Sequence, residues 1–320
     1  QDLVEECLIE DGFVRTSKSY ILYRADRNRS REVNSRLMKT LNDITFSKAS
    51  ESDVKRENAN IDADTAMGTM LKYGSESAKQ FYEMCVLKPE HAKAHAEGDI
   101  HIHDLDFYTL TTTCCQIDIV KLFEGGFSTG HGVLREPNSI ASYGALAAIA
   151  IQANQNDQHG GQSIVNFDYG MAKGVVKSFR SLYRKSVIAA FDLLCDNTDE
   201  DAIKAAIKAA EDETGEIARL EVSDAYVAAE AKQFKDAFGI DDATVEHIQK
   251  YAHKAAVRET DRATYQAMEG FIHNLNTMHS RAGAQTPFSS INYGMDTSPE
   301  GRMVMKNLLL ATEEGLGHGE

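Results

Sequence analysis

The sequence predicts a mixed α/β chain in which helix dominates, and three observations carry that expectation. Only four prolines and no tryptophan interrupt 320 residues, which favours long unbroken elements. Residues 168–276 follow a nearly continuous helical pattern. KAAIKAAEDETGEIARLEV, for example, is rich in helix formers with opposite charges four residues apart. Two short segments break from it, residues 100–120 and 282–294. They are rich in Ile, Thr, Phe, Tyr and Ser, and they read as strands and turns.

Taken in order, residues 1–27 read as helix, turn, helix. Val4, Leu8 and Ile9 recur at helical spacing, and Gly12 sits where a C-terminal cap belongs. Arg24, Arg27, Arg29 and Arg31 mark a solvated connector, and residues 45–66 are polar and poor in large apolar side chains, so a boundary is expected between about 30 and 60. Helix is predicted from Thr65 to about Leu87. The stretch IHIHDLDFYTLTTTCCQIDIV then reads as one or two strands, GGFSTGHG as a flexible loop, and Ser139–Ala153 as an Ala-rich helix. AGAQTPFSSINYG is a turn leading into a strand, and Pro299–Thr312 is a helix with Pro in its first turn. No repeat of 20–50 residues is present, which argues against a solenoid. The chain opens on Gln1 and stops on a glycine-rich loop after a helix, so it reads as cut at both ends.

The composition narrows the function classes. Hydrophobic residues make up 42% and charged residues 26%, which is ordinary for a globular protein. A net charge of −15 disfavours a general nucleic-acid or anionic-membrane surface, although backbone N–H groups can still hold one phosphate. No apolar run is long enough to span a bilayer and no signal-peptide pattern opens the chain. Five cysteines, an odd number at irregular spacing, read as reduced thiols in a cytoplasmic protein.

Several segments carry chemistry-bearing residues. Cys114 and Cys115 are adjacent, and on a strand they face opposite sides, so only one can face a given cavity. A strand cysteine is ordinarily a small buried hydrophobe; the sharper alternative is a thiol that acts as nucleophile or hydrogen-atom donor. His91 and His95 are spaced for one helix face, and His101 and His103 for one strand face. The pattern HAKAH lacks the Glu of HExxH, and no metal site is expected. Gly125 and Gly130 have phosphate-loop spacing, but His131 stands where Lys is required. Gln152, Asn154 and Gln155 belong to an amide-rich stretch around Gly160 and Gly161. That stretch is suited to bases and ribose, or else to a solvated or dimer-contact loop. Ser289 and Ser290 sit in a small-residue loop that can receive a phosphate or simply form a tight turn.

Taken together, YGSESAKQFY, GDIHIHDLDFY, TTTCCQIDIVKLFEGGFSTGHG, HNLNTMHSRAGAQTPFSSINYG and EGRMVMKNLLLATEEGLGHGE resemble the large subunit of anaerobic (class III) ribonucleotide reductases, which are glycyl-radical enzymes. These strings cover most of residues 67–320. VEECLIEDGFVRTSKSYILYRADR resembles the last helices of an ATP-cone. The resemblance implies a ten-stranded α/β barrel of two five-stranded halves, of which this chain carries the first. The organisation expected is 1–30 as the end of an ATP-cone, 31–65 as linker, and 66–320 as half-barrel with dimer-interface helices.

The function implied is reduction of ribonucleoside triphosphates to 2′-deoxyribonucleoside triphosphates through a thiyl radical, regulated by ATP/dATP and other dNTPs. By the spacing to Ile117-Asp118, Cys114 matches the family's radical cysteine better than Cys115, which would then sit with Ser289 and Ser290 beside substrate. His101 or His103 would match a histidine next to substrate or formate. Gln152, Asn154 and Gln155, with the glycine loop, would serve the effector. The resemblance further implies a homodimer or higher oligomer, a radical-SAM iron-sulfur activase, and formate or a thioredoxin-like protein as reductant. It puts the radical glycine and a zinc site beyond residue 320, so that this chain alone does not turn over. Competing readings are a pyruvate formate-lyase-like enzyme, which also uses adjacent cysteines, and a catalytically inactive nucleotide-binding regulator. The cone-like opening and SRAGAQTPFSSINYG favour the reductase.

Overall fold

The computed structural model describes residues 2–48, 62–109, 112–195, 199–280 and 286–317. They form two compact units, one of described residues between 2 and 109 and the other of those between 112 and 317.

The first unit is helical. Helix α1 (Asp2–Glu10) turns at Gly12 into α2 (Val14–Phe46), and Arg24 of α2 reaches back to Glu5 at 3.0 Å. Helix α2 runs for 33 residues, straight through the Arg-rich stretch expected to be a connector and half of the expected linker 31–65. The reason is local: residues 14–46 contain neither Gly nor Pro, and Arg, Lys, Leu and Met are good helix formers even when solvated. Residues 49–61 of that linker lie outside the described residues. Helix α3 (Ala66–Phe81) starts where the sequence places it, with the Thr65 hydroxyl accepting from Gly68 N at 3.0 Å, and continues as a π-helical turn over Tyr82–Val86. Helix α4 (Pro89–Glu97) opens on proline and closes on Gly98 in the left-handed region.

Residues 100–109 are not a strand. They turn through a 3₁₀ segment at Leu105–Phe107, with Asp104 at φ 50°. The Ile-His-Ile-His alternation imitates a strand, but Asp99, Asp104 and Asp106 supply turn chemistry at short intervals and win.

The second unit is a small parallel sheet against a layer of long helices. Strand β1 (Thr112–Ile117) leads into the short α5 (Ile119–Leu122), and a two-residue hairpin β2 (Phe127–Ser128) and β3 (Val133–Leu134) occupies the glycine loop. Helix α6 (Ile140–Asp157) begins at a capping box of Ser139 and Ser142. Strand β4 (Gln158–Ile164) follows it directly. Four helices come next, α7 (Phe167–Leu194), α8 (Glu200–Thr214), α9 (Asp224–Phe238) and α10 (Asp242–Thr277). Strand β5 (Ser289–Ile291) and α11 (Pro299–Glu314) complete the unit. The sheet order is β1-β4-β5, with β4 parallel to both neighbours.

Strand β4 falls in the stretch read as amide-rich polar chain. Its Gly pair and two glutamines hide it from a hydrophobic-run search, and the central position is supplied by pairing on both sides rather than by propensity. The core lies between the sheet and helices α6, α7, α10 and α11. Ile164, Phe167, Ile151, Met268 and Phe271 are fully or almost fully buried there, with the Phe167 and Phe271 rings 5.0 Å apart. Each such side chain contributes about 1.5–3 kcal/mol through removal from water. Among the described residues no helix is long and apolar enough to cross a membrane.

Candidate active site

The register of the sheet sorts its residues onto two faces. Ile117, Ile164 and Ile291 are partners across the three strands and pack into the helical core, which makes theirs the covered face. Two residues earlier on each strand, Cys115, Gln162 and Ser289 pair on that same face. Asn154 of α6 fixes this trio from the helix side. Its Nδ2 donates to Cys115 Sγ at 2.9 Å and to Gln162 Oε1 at 2.8 Å. Gln116, Ser163 and Ser290, the intervening partners, look the other way, and Gln116 and Ser290 are exposed.

Cys114 is exposed and sits at an irregularity. Thr113 pairs with His159 and Cys115 with Gln162, so one residue of β1 faces two of β4, Gly160 and Gly161. The bulge is absorbed by two positive backbone angles, φ 40° at Cys114 and φ 85° at Gly160. A non-glycine residue in that region is uncommon and costs of the order of 1–3 kcal/mol, which the surrounding sheet must offset. The Thr113 hydroxyl lies 3.6 Å from Cys114 Sγ.

The end of the sheet is held by a polar scaffold that sequence reasoning missed. Asp118 caps α5 by accepting from Val120 N at 3.1 Å and Lys121 N at 3.2 Å, and Asn166 donates to it at 2.5 Å. The Asn166 bond, more than the backbone and Lys121 contacts, holds the Asp118 carboxyl below its usual range. Asp168, 1% exposed, accepts from the backbone N–H groups of Gly294, Met295 and Asp296 at 2.8–2.9 Å and so clamps the chain leaving β5. Burial pushes this carboxyl up, but the backbone donors outweigh it and the net shift is downward.

The other expected residues scatter. His101 and His103 belong to the first unit and are exposed. His101 stands between the rings of His95 and His103, 5.7 and 6.1 Å away, and His103 Nε2 pairs with Asp104 at 3.1 Å. Among the described residues no group of three or more His, Cys, Asp or Glu is arranged to hold a metal ion. Of the three amides, Asn154 lines a cleft. Gln155 is buried and bonded to the Thr286 carbonyl at 3.2 Å and to the Ser280 hydroxyl, while Gln152 reaches the Asn274 carbonyl at 3.5 Å. The cleft, about 790 Å³, runs along the outer edge of β1 and joins the glycine loop at Ser128–Gly130 to Asp118, Lys121, Asn154 and Asp157.

Comparison with known proteins decides the family. A family model described as anaerobic ribonucleoside-triphosphate reductase matches residues 57–320. The chain belongs to the anaerobic ribonucleoside-triphosphate reductase family. Among curated members, the chain is 25% identical over 319 residues to the anaerobic ribonucleoside-triphosphate reductases of Salmonella typhimurium and Escherichia coli K12, covering 99% of its own length and 36% of theirs. It is 26% identical over 274 residues to the reductase of Enterobacteria phage T4, covering 83% of itself and 34% of that protein. The chain thus spans about a third of the length of these reductases. Two signals in the sequence point to the sheet's working residues without naming them: a glycine pair inside what proves to be a strand, and Asp-x₂-Lys directly after the cysteines.

Proposed function

We propose that this chain is the part of an anaerobic ribonucleoside-triphosphate reductase that presents a reactive thiol to the ribose of its substrate, and that Cys114 is that thiol. One observation carries the reading. The face of the sheet turned away from Ile117, Ile164 and Ile291 carries Gln116, Ser163 and Ser290 in register, with Cys114 exposed at the bulge one step along β1, while Cys115 and Ser289 turn toward the helices. In this reading the sheet is the first half of the family's barrel and its open face lines the interior. Residues 1–30, which span α1 and the start of α2, are the end of an ATP-cone, His101 and His103 belong near substrate or formate, and the family's homodimer and activase complete the assembly.

The glycyl radical that the family resemblance implies supplies a one-electron oxidising equivalent. The residues of this chain do the rest of what falls to them. Cys114 exchanges a hydrogen atom with the 3′ carbon of the ribose, and the 2′ hydroxyl departs as water. The missing two electrons come from formate or a thioredoxin-like donor, after which the hydrogen returns to the 3′ carbon. A thiol suits this exchange because its S–H bond is close in strength to the C–H bonds of the sugar. Ser290 and the backbone of the strand ends offer hydrogen bonds to the nucleotide, and the cleft with Lys121, Asn154 and the glycine loop suits a dNTP effector at the edge of β1.

The test is substitution in the full-length reductase. Cys114→Ser abolishes reduction while effector binding and the glycyl radical signal persist; Cys115→Ser retains activity. The reverse outcome makes Cys115 the reactive sulfur and overturns the assignment.

A further inference from the structure

The ladder between β1 and β4 takes up one extra residue of β4, and the place where it does so decides where Cys114 stands. A Cβ on Gly160 would lie 2.9 Å from Cys114 Sγ, so the sulfur rests against the backbone of β4 and moves if the pairing moves. The far end of β1 is fixed by the Ile117–Ile164 pair, which packs into the helical core, and the near end pairs Thr113 with His159. Between those pairs the extra residue could be accommodated opposite Cys114, Cys115 or Gln116. The glycine pair permits a bulge but does not choose its place, and backbone preference disfavours a cysteine at φ 40°. Asn154 makes the choice. Its Nδ2 donates to Cys115 Sγ at 2.9 Å and to Gln162 Oε1 at 2.8 Å, and these are the two side chains of the first pair beyond the bulge. A bulge moved to Gln116 would set Cys115 against Gly161 and break the bridge. The donor is firmly held, since Asn154 lies in the last turn of α6, where Ile151 is fully buried and Gln155 donates to the Thr286 carbonyl at 3.2 Å. The bridge also has a cost: Gln162 is 2% exposed, and its Nε2 has no hydrogen-bond partner among the described residues. An aliphatic pair would pack here without that loss, but it would carry no directional bond to select one placement.

We propose that Asn154 and Cys115 are positioning residues that lock the bulge opposite Cys114, with Cys115 serving as a hydrogen-bond acceptor and not as a reacting thiol. This rests on the reading of Cys114 given above. The lock acts through the backbone of β1 and touches neither the Cys114 sulfur nor the substrate. The two bonds of the bridge are of the same order as the strain at Cys114, so removing the bridge lets the bulge move and the strain relax. Sγ moves with it. The loss falls on turnover, because a reacting atom out of place raises the barrier while substrate binding is left as it was.

The experiment uses the full-length reductase carrying this chain, with steady-state CTP reduction and the glycyl radical signal measured for every variant. Asn154→Ala removes the donor, and Cys115→Val keeps the volume while removing the acceptor. Each lowers kcat by about tenfold or more, with KM within about threefold of wild type and the radical signal retained as the check on folding and activation. Cys115→Ser, whose hydroxyl accepts the same bond, keeps kcat within about threefold of wild type. The double variant Asn154→Ala with Cys115→Val falls no further than either single one, because both remove one interaction. Where Cys115→Val does not fold, Asn154→Ala and Cys115→Ser still decide the matter. A kcat near wild type in Asn154→Ala, a loss carried by KM, a double variant that multiplies the two losses, or a Cys115→Ser as slow as Cys115→Val each overturns the proposal. If Cys114→Ser still reduces CTP, the thiol reading falls and the lock with it; if Cys114→Ser is dead while Asn154→Ala and Cys115→Val behave as wild type, the lock alone falls.

Discussion

Replacing Asp168 by Asn isolates the clamp that holds the end of β5. In the native protein one buried carboxylate oxygen receives three backbone N–H bonds from Gly294, Met295 and Asp296, and the other receives Tyr169 N at 3.0 Å. Hydrogen bonds to a charged acceptor contribute roughly 1.5–3 kcal/mol each, but Gly294 and Met295 are exposed and recover water when released. Counting full loss only at the buried Asp296 N–H and partial loss at the other two gives about 3 kcal/mol for Asp168→Asn. The local readout is hydrogen exchange of those three amides, which quickens by about a hundredfold for that energy. The pH dependence follows from the depressed pKa. The clamp's stabilisation is fully present above the ordinary Asp value of about 3.9 and is lost as pH falls through the lower native value. The wild type therefore loosens at Gly294–Asp296 on acidification below about pH 4, and the Asn variant shows no such step. Exchange rates in the Asn variant within twofold of wild type, or an acid step that survives the substitution, would refute this account.

Three further outcomes are expected. Glu230, 1% exposed, is raised in pKa chiefly by burial, against hydrogen bonds from Tyr183 at 2.7 Å and Gln249 at 2.9 Å. Its contribution to stability is full below the ordinary Glu value of about 4.3 and is lost as pH rises through the higher native value, so Glu230→Gln gains on wild type with rising pH; parallel urea curves from pH 4 to 8 would contradict this. Glu300 is fully buried and held by Arg219 at 2.7 and 3.1 Å and by Leu220 N at 3.2 Å, so Arg219→Met strands a buried carboxylate and costs about 3–5 kcal/mol in urea unfolding, whereas a loss under 1 kcal/mol would mean that water reaches it. Asn154→Ala releases Cys115 and leaves the buried Gln162 carbonyl unpaired; it costs about 1–3 kcal/mol and speeds alkylation of Cys115, and an unchanged Cys115 rate would show the thiol is guarded by something else.

How much of this the sequence discloses depends on the range of the interaction that sets each element. Helices α3, α6 and α11 are legible because Thr65, Ser139 and Ser298 cap them locally and Pro299 opens the last. The Arg-rich part of α2 is misread because solvation of a charged stretch resembles a connector, although helix propensity decides it. Residues 100–109 are misread in the opposite sense, since an apolar alternation meets three aspartates that favour turns. Strand β4 is the instructive failure. Its seven residues include two glutamines and two glycines, and nothing local makes them a strand. They become one because β1 and β5, more than forty and more than a hundred residues away, pair on either side. Of the site, the two cysteines and the serine pair are visible in the sequence, but their division between faces is a property of register.

That division bears on why two adjacent thiols need not compete. A one-residue step along a strand exchanges faces, so Cys115 is delivered to Asn154 and the helices while Cys114 stays on the open side. Burial and a hydrogen bond restrain Cys115, and neither constrains Cys114 beyond the neighbouring Thr113 hydroxyl. The bulge then adds what the pleat alone does not. With Gly160 at φ 85° and Cys114 at φ 40°, the sulfur is set by backbone conformation on both strands, so its place does not depend on a side-chain partner that could itself react. The polar clamps of this unit, Asp118 and Asp168, act at the ends of the strands, so neither carboxylate is spent on the middle of the sheet, where Gln116, Ser163 and Ser290 pair in register.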